Sequence, residues 1–282
     1  MIVRGRSKLD RSGPWTVEYN PAHSAPAESA TRNYGEAAGE VLAGALANDD
    51  KGGHLQALER LRVAWRNTEA VQSLPRRVLV LSEWALRKFE EGALDGHYRR
   101  QGLDTAGPDS DELAASSELR GYVPTDWRVL RKIFPPGSIG PDDVLLEYGS
   151  GKGRVSVWAA SRFPLRRVIG VELDPDSTAA AQANLEKWRG PRRCNDVVFT
   201  CADAREFEVP DDVTIVYLFN PFMGETFTEV FDEVAASLAR KPRALRVAYF
   251  YPIMHSALID AGFTLERLHR HELYAWATYR IG

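Results

Sequence analysis

The stretch VLLEYGSGKGR, residues 144–154, decides the fold class of this chain. A mostly apolar run is followed by three glycines at alternate positions, Gly149, Gly151 and Gly153, and then by the helical pattern GRVSVWAASRF. This order is typical of a buried strand, a tight turn and a helix. Ligands of open α/β sheets bind at the carboxyl ends of the strands, so the glycine turn is a candidate binding site.

The same alternation of strand and helix patterns continues to the end of the chain. The last segment, LYAWATYRI, alternates as a half-exposed antiparallel strand does. We therefore predict an α/β fold over residues 120–282: a doubly wound, mostly parallel seven-stranded sheet with an antiparallel closing strand. The strands after VLLEY are predicted at RVIGVEL, DVVFTCAD, VTIVYLFN, ALRVAYFY, FTLERLH and LYAWATYRI.

The N-terminal part of the chain has a different composition. Residues 1–35 are rich in Pro, Ser, Ala and Gly and are predicted to form a flexible arm. Residues 36–119 carry helical patterns and are predicted to form a helical cap or dimerisation region. One pattern, PRRVLVLSEWALRKFEEG, predicts a helix with Gly92 beyond its end, and a loop is predicted after it. DWRVLRKIF predicts a further short helix.

Charge and composition exclude several function classes. The formal net charge of -3 gives no broad attraction to nucleic acid or to anionic membranes. The two cysteines, Cys194 and Cys201, lack the spacing of a zinc site and are interpreted as reduced thiols. The cluster HRHE at 269–272 is too weak a pattern for a metal site, so no metal is predicted. No signal peptide or membrane span is visible, and a cytoplasmic protein is predicted.

Three interpretations of the glycine turn compete. A P-loop requires Ser or Thr after the lysine, but Lys152 is followed by Gly153. The dinucleotide fingerprint requires a third glycine at position 154, where the chain has Arg154. A nucleoside ligand without phosphates fits an acidic residue just before the turn, and Glu147 stands there. The turn alone leaves the second and third interpretations open.

The turn resembles motif I of the class I S-adenosylmethionine-dependent methyltransferases, and the resemblance extends through most of residues 120–282. It implies S-adenosylmethionine as cofactor and S-adenosylhomocysteine as product. Glu147 would orient the turn or receive the cofactor's ammonium group, and Glu172 would accept hydrogen bonds from the ribose hydroxyls. The other positions that the resemblance assigns to the cofactor are Gly149, Ser150, Gly151, Gly153, Leu173, Asp203, Ala204 and Asn220.

The segment YLFNPF is similar to motif IV of amino-methylating members of that family, with one proline missing. The resemblance implies that Asn220 and Pro221 position the methyl acceptor through their oxygens, and that Phe222 stacks on a flat acceptor or plugs the pocket. By strand alternation, Tyr249 or Tyr251 points into the cleft, and Tyr249 completes the predicted catalytic set.

A narrower resemblance links GSGKGR and FNPF to a bacterial group of these enzymes. It implies that Tyr122 and Thr125, in the upstream YVPT segment, lie near the cofactor, and it suggests a role in natural-product biosynthesis. Arg154 is expected to pair with an acid near the site or to face solvent. Of the histidines, His255 is best placed to act as a base, although its position favours a surface helix residue.

The predicted function is methyl transfer to a nitrogen or oxygen atom of a small molecule or peptide. Nucleic acid and membrane are not expected as partners, and a homodimer through the N-terminal helices is an expectation. Three alternatives remain open: a protein side-chain methyltransferase of the lysine type, a catalytically silent cofactor-binding scaffold, and an NAD-binding enzyme.

Overall fold

The computed structural model describes residues 76–105, 123–271 and 274–282, and the side chains from residue 84 onward within the first of these ranges. The predicted arm at 1–35, the helical patterns before residue 76 and the candidate Tyr122 lie outside the described residues. The described elements are α1 (Arg76–Arg100), α2 (Trp127–Ile133), β1 (Val144–Tyr148), α3 (Arg154–Arg162), β2 (Arg167–Glu172), α4 (Pro175–Lys187), β3 (Val197–Cys201), β4 (Ile215–Leu218), α5 (Gly224–Arg240), β5 (Leu245–Phe250), α6 (His255–Asp260), β6 (Thr264–His271) and β7 (Tyr274–Ile281).

The strands form one seven-stranded sheet in the order β3-β2-β1-β4-β5-β7-β6, which confirms the predicted fold class. Strands β1 to β5 are paired in parallel, and β7 runs antiparallel to both β5 and β6. Strand β2 pairs with one side of β1, and strand β4 pairs with the other side. The carboxyl end of β1 therefore lies at the topological switch point, where ligands of open α/β sheets bind.

Apolar side chains cover both faces of the sheet. On one face, the fully buried Trp127 of α2 and Trp158 of α3 belong to a cluster that includes Phe250 of β5. On the other face, Phe227 and Val230 of α5 lie fully buried against the strands. Helices on both faces are the doubly wound arrangement, because parallel strands need a crossover connection above or below the sheet.

Helix α1 is longer than predicted. The expected end near Gly92 is wrong, since the helix continues through this residue to Arg100. Its last turns bury Leu94 and Tyr98, and the Tyr98 ring stacks on Trp127 at a centroid distance of 4.1 Å. A glycine inside a helix costs about 1 kcal/mol. Burial of a large apolar side chain contributes about 1.5–3 kcal/mol, so packing outweighs the local preference.

The closing strands also differ from the prediction in one respect. LYAWATYRI was expected to be half exposed, but β7 lies between β5 and β6 and most of its residues are buried. Of the two closing strands, β6 is the more exposed one, and it forms one edge of the sheet. The alternation of apolar and small residues in β7 reflects packing on both faces of the sheet and not exposure to water.

Candidate active site

The glycine turn after β1 has a backbone that other residues adopt only with strain. Gly149, Gly151 and Gly153 have φ angles of 70°, 49° and 80°. A Cβ atom on Gly149 would lie 2.6 Å from the Cβ of Pro221, in the loop after β4. Such a distance is a steric clash, so the turn and the β4 loop are in direct contact. The backbone of the turn is also fixed to β2, because the N–H groups of Gly149 and Ser150 both donate to the carbonyl of Val171.

Glu147 is buried beneath this turn. Its Oε2 accepts hydrogen bonds from the Ser156 amide at 2.9 Å and from the Ser156 hydroxyl at 2.6 Å. The Ser156 amide belongs to the first turn of α3, where backbone N–H groups have no partner inside the helix, and Gly153 at the N-cap has no side chain to supply one. Burial raises the pKa of Glu147 to about 8, and the nearby Glu172 carboxylate adds to the shift. This contact fixes the turn against α3.

Glu172 at the end of β2 braces the turn from the other side. Its Oε2 accepts from the Gly151 amide at 2.8 Å, and its Oε1 accepts from the Asp174 amide at 3.0 Å. A carboxylate offers about four acceptor positions, so each oxygen keeps room for a ligand hydroxyl. Leu173, the next residue, keeps 39% of its surface exposed and offers an apolar face beside this carboxylate.

Asp203, after β3, pairs with Arg205, a residue that was not among the predicted site residues. Its carboxylate accepts from the Arg205 Nη2 at 2.6 Å and from the Arg205 backbone amide at 2.9 Å. The hydrogen bonds from the Arg205 side chain hold the pKa of Asp203 below its usual value. The spacing Asp-Ala-Arg in a turn was the available signal, and Ala204 lies half-buried between the two charged residues.

The loop after β4 holds Asn220 in a left-handed conformation with φ of 43°, and Tyr251 after the adjacent β5 has φ of 52°. These are the only non-glycine residues with positive φ in the described part of the chain. The Tyr249 hydroxyl donates to the Asn220 Oδ1 at 2.6 Å, and both residues are buried. The half-buried Phe219 ring stacks on Tyr251 at 5.7 Å. Non-glycine residues in this conformation cost energy and cluster at functional sites.

Pro221 and Phe222 lie at different places in this loop. Pro221 contacts the glycine turn, as described above. Phe222 is 3% exposed and packs with its ring centroid 5.7 Å from that of Tyr148 and 6.2 Å from that of Phe227. Both predicted roles of Phe222 stay predictions. A stacking role would require the ring to leave this packed position.

The upstream YVPT segment contacts the site through Thr125. Its hydroxyl lies 2.8 Å from the Tyr217 hydroxyl on β4, and its carbonyl accepts from the Arg154 Nη1 at 3.0 Å. Arg154 is 3% exposed, so the expectation that it faces solvent is wrong, and it pairs with Asp95 at 2.7 Å. Sequence reasoning missed Asp95, because the predicted helix ended before it.

Several other candidates lie away from this site. His255 Nδ1 is 2.8 Å from the Tyr279 hydroxyl, on the far side of β5 from the glycine turn in the strand order. Both cysteines are free thiols, Cys194 buried and Cys201 exposed. Among the described residues, no group of His, Cys, Asp and Glu side chains could hold a metal ion. None of the helices in the described ranges has the length and apolar character to cross a membrane.

The residues at the switch point fit a nucleoside ligand without phosphates. The glycine turn leaves its main chain open to close approach, and Ser150 has a buried Oγ with no hydrogen-bond partner. The carboxylate of Glu172 retains acceptor capacity for two ribose hydroxyls, and Leu173 is an exposed apolar surface for a base. A pyrophosphate would be repelled by the Glu172 carboxylate, whereas hydroxyl and ammonium donors are attracted to it.

Comparison with known proteins agrees with this geometry. Residues 145–241 match the family model described as a methyltransferase domain. A curated relative, the protein-lysine N-methyltransferase of Saccharolobus islandicus (strain REY15A), is 35% identical over 66 residues. That match spans 23% of this chain and 41% of the relative's length.

The solved structures to which this chain is similar include two methyltransferases. One is an RNA methyltransferase from Salinibacter ruber in complex with S-adenosyl-L-homocysteine, at 22% identity and a TM-score of 0.41 over 56% of this chain and 92% of the other. Another is a ribosomal protein L11 methylase from Lactobacillus delbrueckii subsp. bulgaricus, at 12% identity and a TM-score of 0.45 over 63% and 82%.

The sheet order and the position of the site at the switch point agree with the match of residues 145–241 to a methyltransferase domain. The cofactor of this domain is S-adenosylmethionine.

Proposed function

We propose that the chain transfers a methyl group from S-adenosylmethionine to a nitrogen or oxygen atom of a small molecule or peptide. The observation that carries this proposal is the contact between Gly149 and Pro221. It brings the turn assigned to the cofactor against the loop assigned to the acceptor, across the adjacent strands β1 and β4. Methyl transfer requires donor and acceptor to meet in line at short distance, and this adjacency supports such a reaction.

The bound cofactor supplies an electrophilic methyl group on a sulfonium ion. Asn220 Oδ1 receives one hydrogen bond from Tyr249 and keeps a second lone pair that can accept from an acceptor N–H. The Pro221 carbonyl is the second acceptor in this loop. Two oxygens that accept hydrogen bonds suit an amine, so nitrogen is the preferred atom in this proposal. Positioning and exclusion of water then provide the rate enhancement.

A second candidate is methyl transfer to a lysine side chain of a protein. The 66-residue match to the lysine methyltransferase of Saccharolobus islandicus favours it. The proposed hydrogen bonds to the acceptor are the same, since lysine also presents an amine. The two candidates differ in what surrounds the amine, so the acceptor screen below includes both classes.

Cofactor binding is the first test. We expect calorimetric titration to show micromolar binding of S-adenosylmethionine and S-adenosylhomocysteine and none of NAD. Glu172→Ala should abolish binding, because it removes the ribose acceptor and the brace on Gly151. Glu186→Ala, an exposed change on α4, is the matched control and should bind as the wild type does. Binding of NAD in place of the two nucleosides would overturn the cofactor assignment.

Turnover is the second test and separates an enzyme from a silent scaffold. The wild-type protein is incubated with S-adenosylmethionine and with small amines, hydroxylated aromatic compounds or lysine-containing peptides, and release of S-adenosylhomocysteine is measured. We expect release with small amines, lost in Asn220→Ala. Release with peptides alone would support the lysine candidate, and binding without release from any acceptor would support the scaffold.

A further inference from the structure

Arg154 is a buried cation at the first residue of α3, directly after the glycine turn. Its Nε donates to the Thr105 hydroxyl at 2.9 Å, its Nη1 to the Thr125 carbonyl at 3.0 Å, and its Nη2 to Asp95 at 2.7 Å. The guanidinium plane lies over the Trp127 ring, 4.4 Å from the ring centroid. One side chain thus joins four parts of the chain at the back of the cofactor turn.

The negative charge that balances Arg154 comes from Asp95. Glu91 is also near, with Oε2 3.7 Å from the Arg154 Nη1. Burial raises the pKa of Glu91, and a hydrogen bond with Asp126 adds to the shift, whereas Asp95 is the acid in direct hydrogen-bond contact with Arg154. Asp95 in turn accepts from the Trp127 indole N–H at 2.8 Å, which links α1 to α2 through the same carboxylate.

A second contact holds the turn to the same region. The buried Asn184 of α4 donates through Nδ2 to the carbonyls of Lys152 and Asp104, both at 2.9 Å. Its Oδ1 accepts from the Asp104 amide at 3.1 Å. The segment at Asp104 and Thr105 is therefore fixed to the glycine turn at Lys152 and, just beyond the turn, at Arg154.

The network also reaches the acceptor side. Thr125, whose carbonyl binds Arg154, places its hydroxyl 2.8 Å from that of Tyr217. Tyr217 lies in β4, the strand that leads into Asn220 and Pro221. The contacts from α1 through Arg154 and Thr125 thus extend to both loops that the proposed reaction uses.

We propose that Arg154 is a positioning residue that holds the glycine turn in the conformation that binds the cofactor, and that it makes cofactor affinity depend on the docking of α1. The ligand named here rests on the proposed function. A planar guanidinium with donors in fixed directions is required, because three separate acceptors and an aromatic face are engaged at once. Lysine carries the same charge but cannot make this set of contacts.

The test compares Arg154→Lys with Arg166→Lys. Arg166 is a matched control because it is an exposed arginine whose side chain pairs with Asp212 at 3.0 Å. Amide hydrogen exchange of the ligand-free proteins is measured at residues 149–153 and 123–127. We expect Arg154→Lys to exchange at least about tenfold faster in both segments, with β4 and β5 unchanged, and Arg166→Lys to match the wild type. Unchanged exchange at residues 149–153 in Arg154→Lys would overturn the proposal.

Calorimetry with S-adenosylhomocysteine gives the second readout. Arg154→Lys should bind at least about tenfold more weakly, and the KM for S-adenosylmethionine should rise by a larger factor than kcat falls. A purely stabilising residue would lower the melting temperature and leave Kd unchanged, and that result would overturn the proposal. Thr105→Val removes one contact of Arg154 and is used if Arg154→Lys does not fold; it should change exchange and Kd in the same direction by a smaller factor.

The two proposals fail differently. If the wild type binds no S-adenosylhomocysteine, the cofactor assignment is wrong. The exchange experiment still decides whether Arg154 fixes the glycine turn, because it uses the protein without ligand.

Discussion

The loops at the ends of β1 and β4 face each other, yet they are built in different ways. After β1, glycines adopt the positive φ angles. The amide of Gly151 donates to Glu172, and the amides of Gly149 and Ser150 donate to the Val171 carbonyl, so the turn is held from β2. After β4, Asn220 adopts a positive φ without being glycine and is held by Tyr249. The first loop is shaped by residues that need little energy to take this conformation. The second loop stores strain that its neighbours must offset.

The difference separates two tasks. A glycine turn presents bare backbone to a ligand, which suits a common cofactor. A strained loop with a buried carboxamide presents a side chain at a fixed angle, which suits selection of an acceptor atom. Changes in the first loop should therefore alter cofactor affinity, and changes in the second should alter turnover.

The largest expected effect is that of Gly149→Ala. A Cβ at this position would clash with Pro221 at 2.6 Å, and alanine at φ of 70° costs about 1–2 kcal/mol of backbone strain. Overpacking adds about 1–3 kcal/mol. We expect the free energy of unfolding to fall by about 2–5 kcal/mol on these two grounds. Binding of S-adenosylhomocysteine should be lost, and denaturant unfolding and calorimetry measure the two effects.

Gly137→Ala is the control for backbone strain alone. Gly137 has φ of 79°, but a Cβ there would meet no atom within 4 Å. This change should cost only about 1–2 kcal/mol of stability and leave S-adenosylhomocysteine affinity unchanged. Equal effects of the two changes would mean that the contact with Pro221 has no role in shaping the cofactor turn.

Glu147→Gln should change how stability depends on pH. In the folded protein the pKa of Glu147 is about 8, whereas its ordinary value is 4.5. The side chain therefore stays protonated to a higher pH in the folded protein than in the unfolded chain. Its contribution to stability is therefore present below pH 4.5 and is lost as pH rises toward 8, by at most about 1.4 kcal/mol per pH unit. The glutamine side chain has no proton to lose, so the variant should gain stability relative to the wild type as pH rises from about 5 to about 8.

Denaturant unfolding at several pH values between these limits measures this difference. Glu186→Gln, an exposed change, should follow the wild type at every pH. A constant difference between wild type and Glu147→Gln across this range would contradict a raised pKa at Glu147. It would leave the contact with Ser156 as the sole role of this side chain.

The same comparison explains what the sequence could predict. β1 was predicted at its observed bounds, because an apolar run that ends in glycines is specified locally. The glycine turn was predicted because only glycine takes positive φ readily. The partners of Arg154 are 59, 49 and 29 residues away in sequence, so its burial depends on tertiary packing that no local pattern contains.

The acceptor side was harder to predict for a related reason. Asn220 was identified as a candidate from its place after a strand. Asparagine adopts a positive φ more readily than most residues, but whether it does so at a given position depends on packing. The inward position of Phe222 depends on the neighbouring rings of Tyr148 and Phe227. The length of α1 depends on the burial of Leu94 and Tyr98. These residues follow Gly92, which disfavours an isolated helix.

The smallest effect is expected for Tyr249→Phe, and it gives the sharpest comparison between the loops. The change removes the 2.6 Å hydrogen bond to Asn220 Oδ1 without altering the ring. Losing one buried hydrogen bond costs about 1–1.5 kcal/mol, which corresponds to about tenfold in rate if it acts in the transition state. We expect kcat, measured as S-adenosylhomocysteine release with the best acceptor, to fall about tenfold while the Kd of S-adenosylhomocysteine stays constant.

Tyr279→Phe is the matched control, since Tyr279 is equally buried on the neighbouring β7 and its hydroxyl pairs with His255. It should lose similar stability without the loss of turnover. If Tyr249→Phe weakened cofactor binding and left kcat unchanged, the Asn220 loop would belong to the cofactor side. The division of tasks between the two loops would then be wrong, because the hydrogen bond that holds the strained residue would serve the same ligand as the glycine turn.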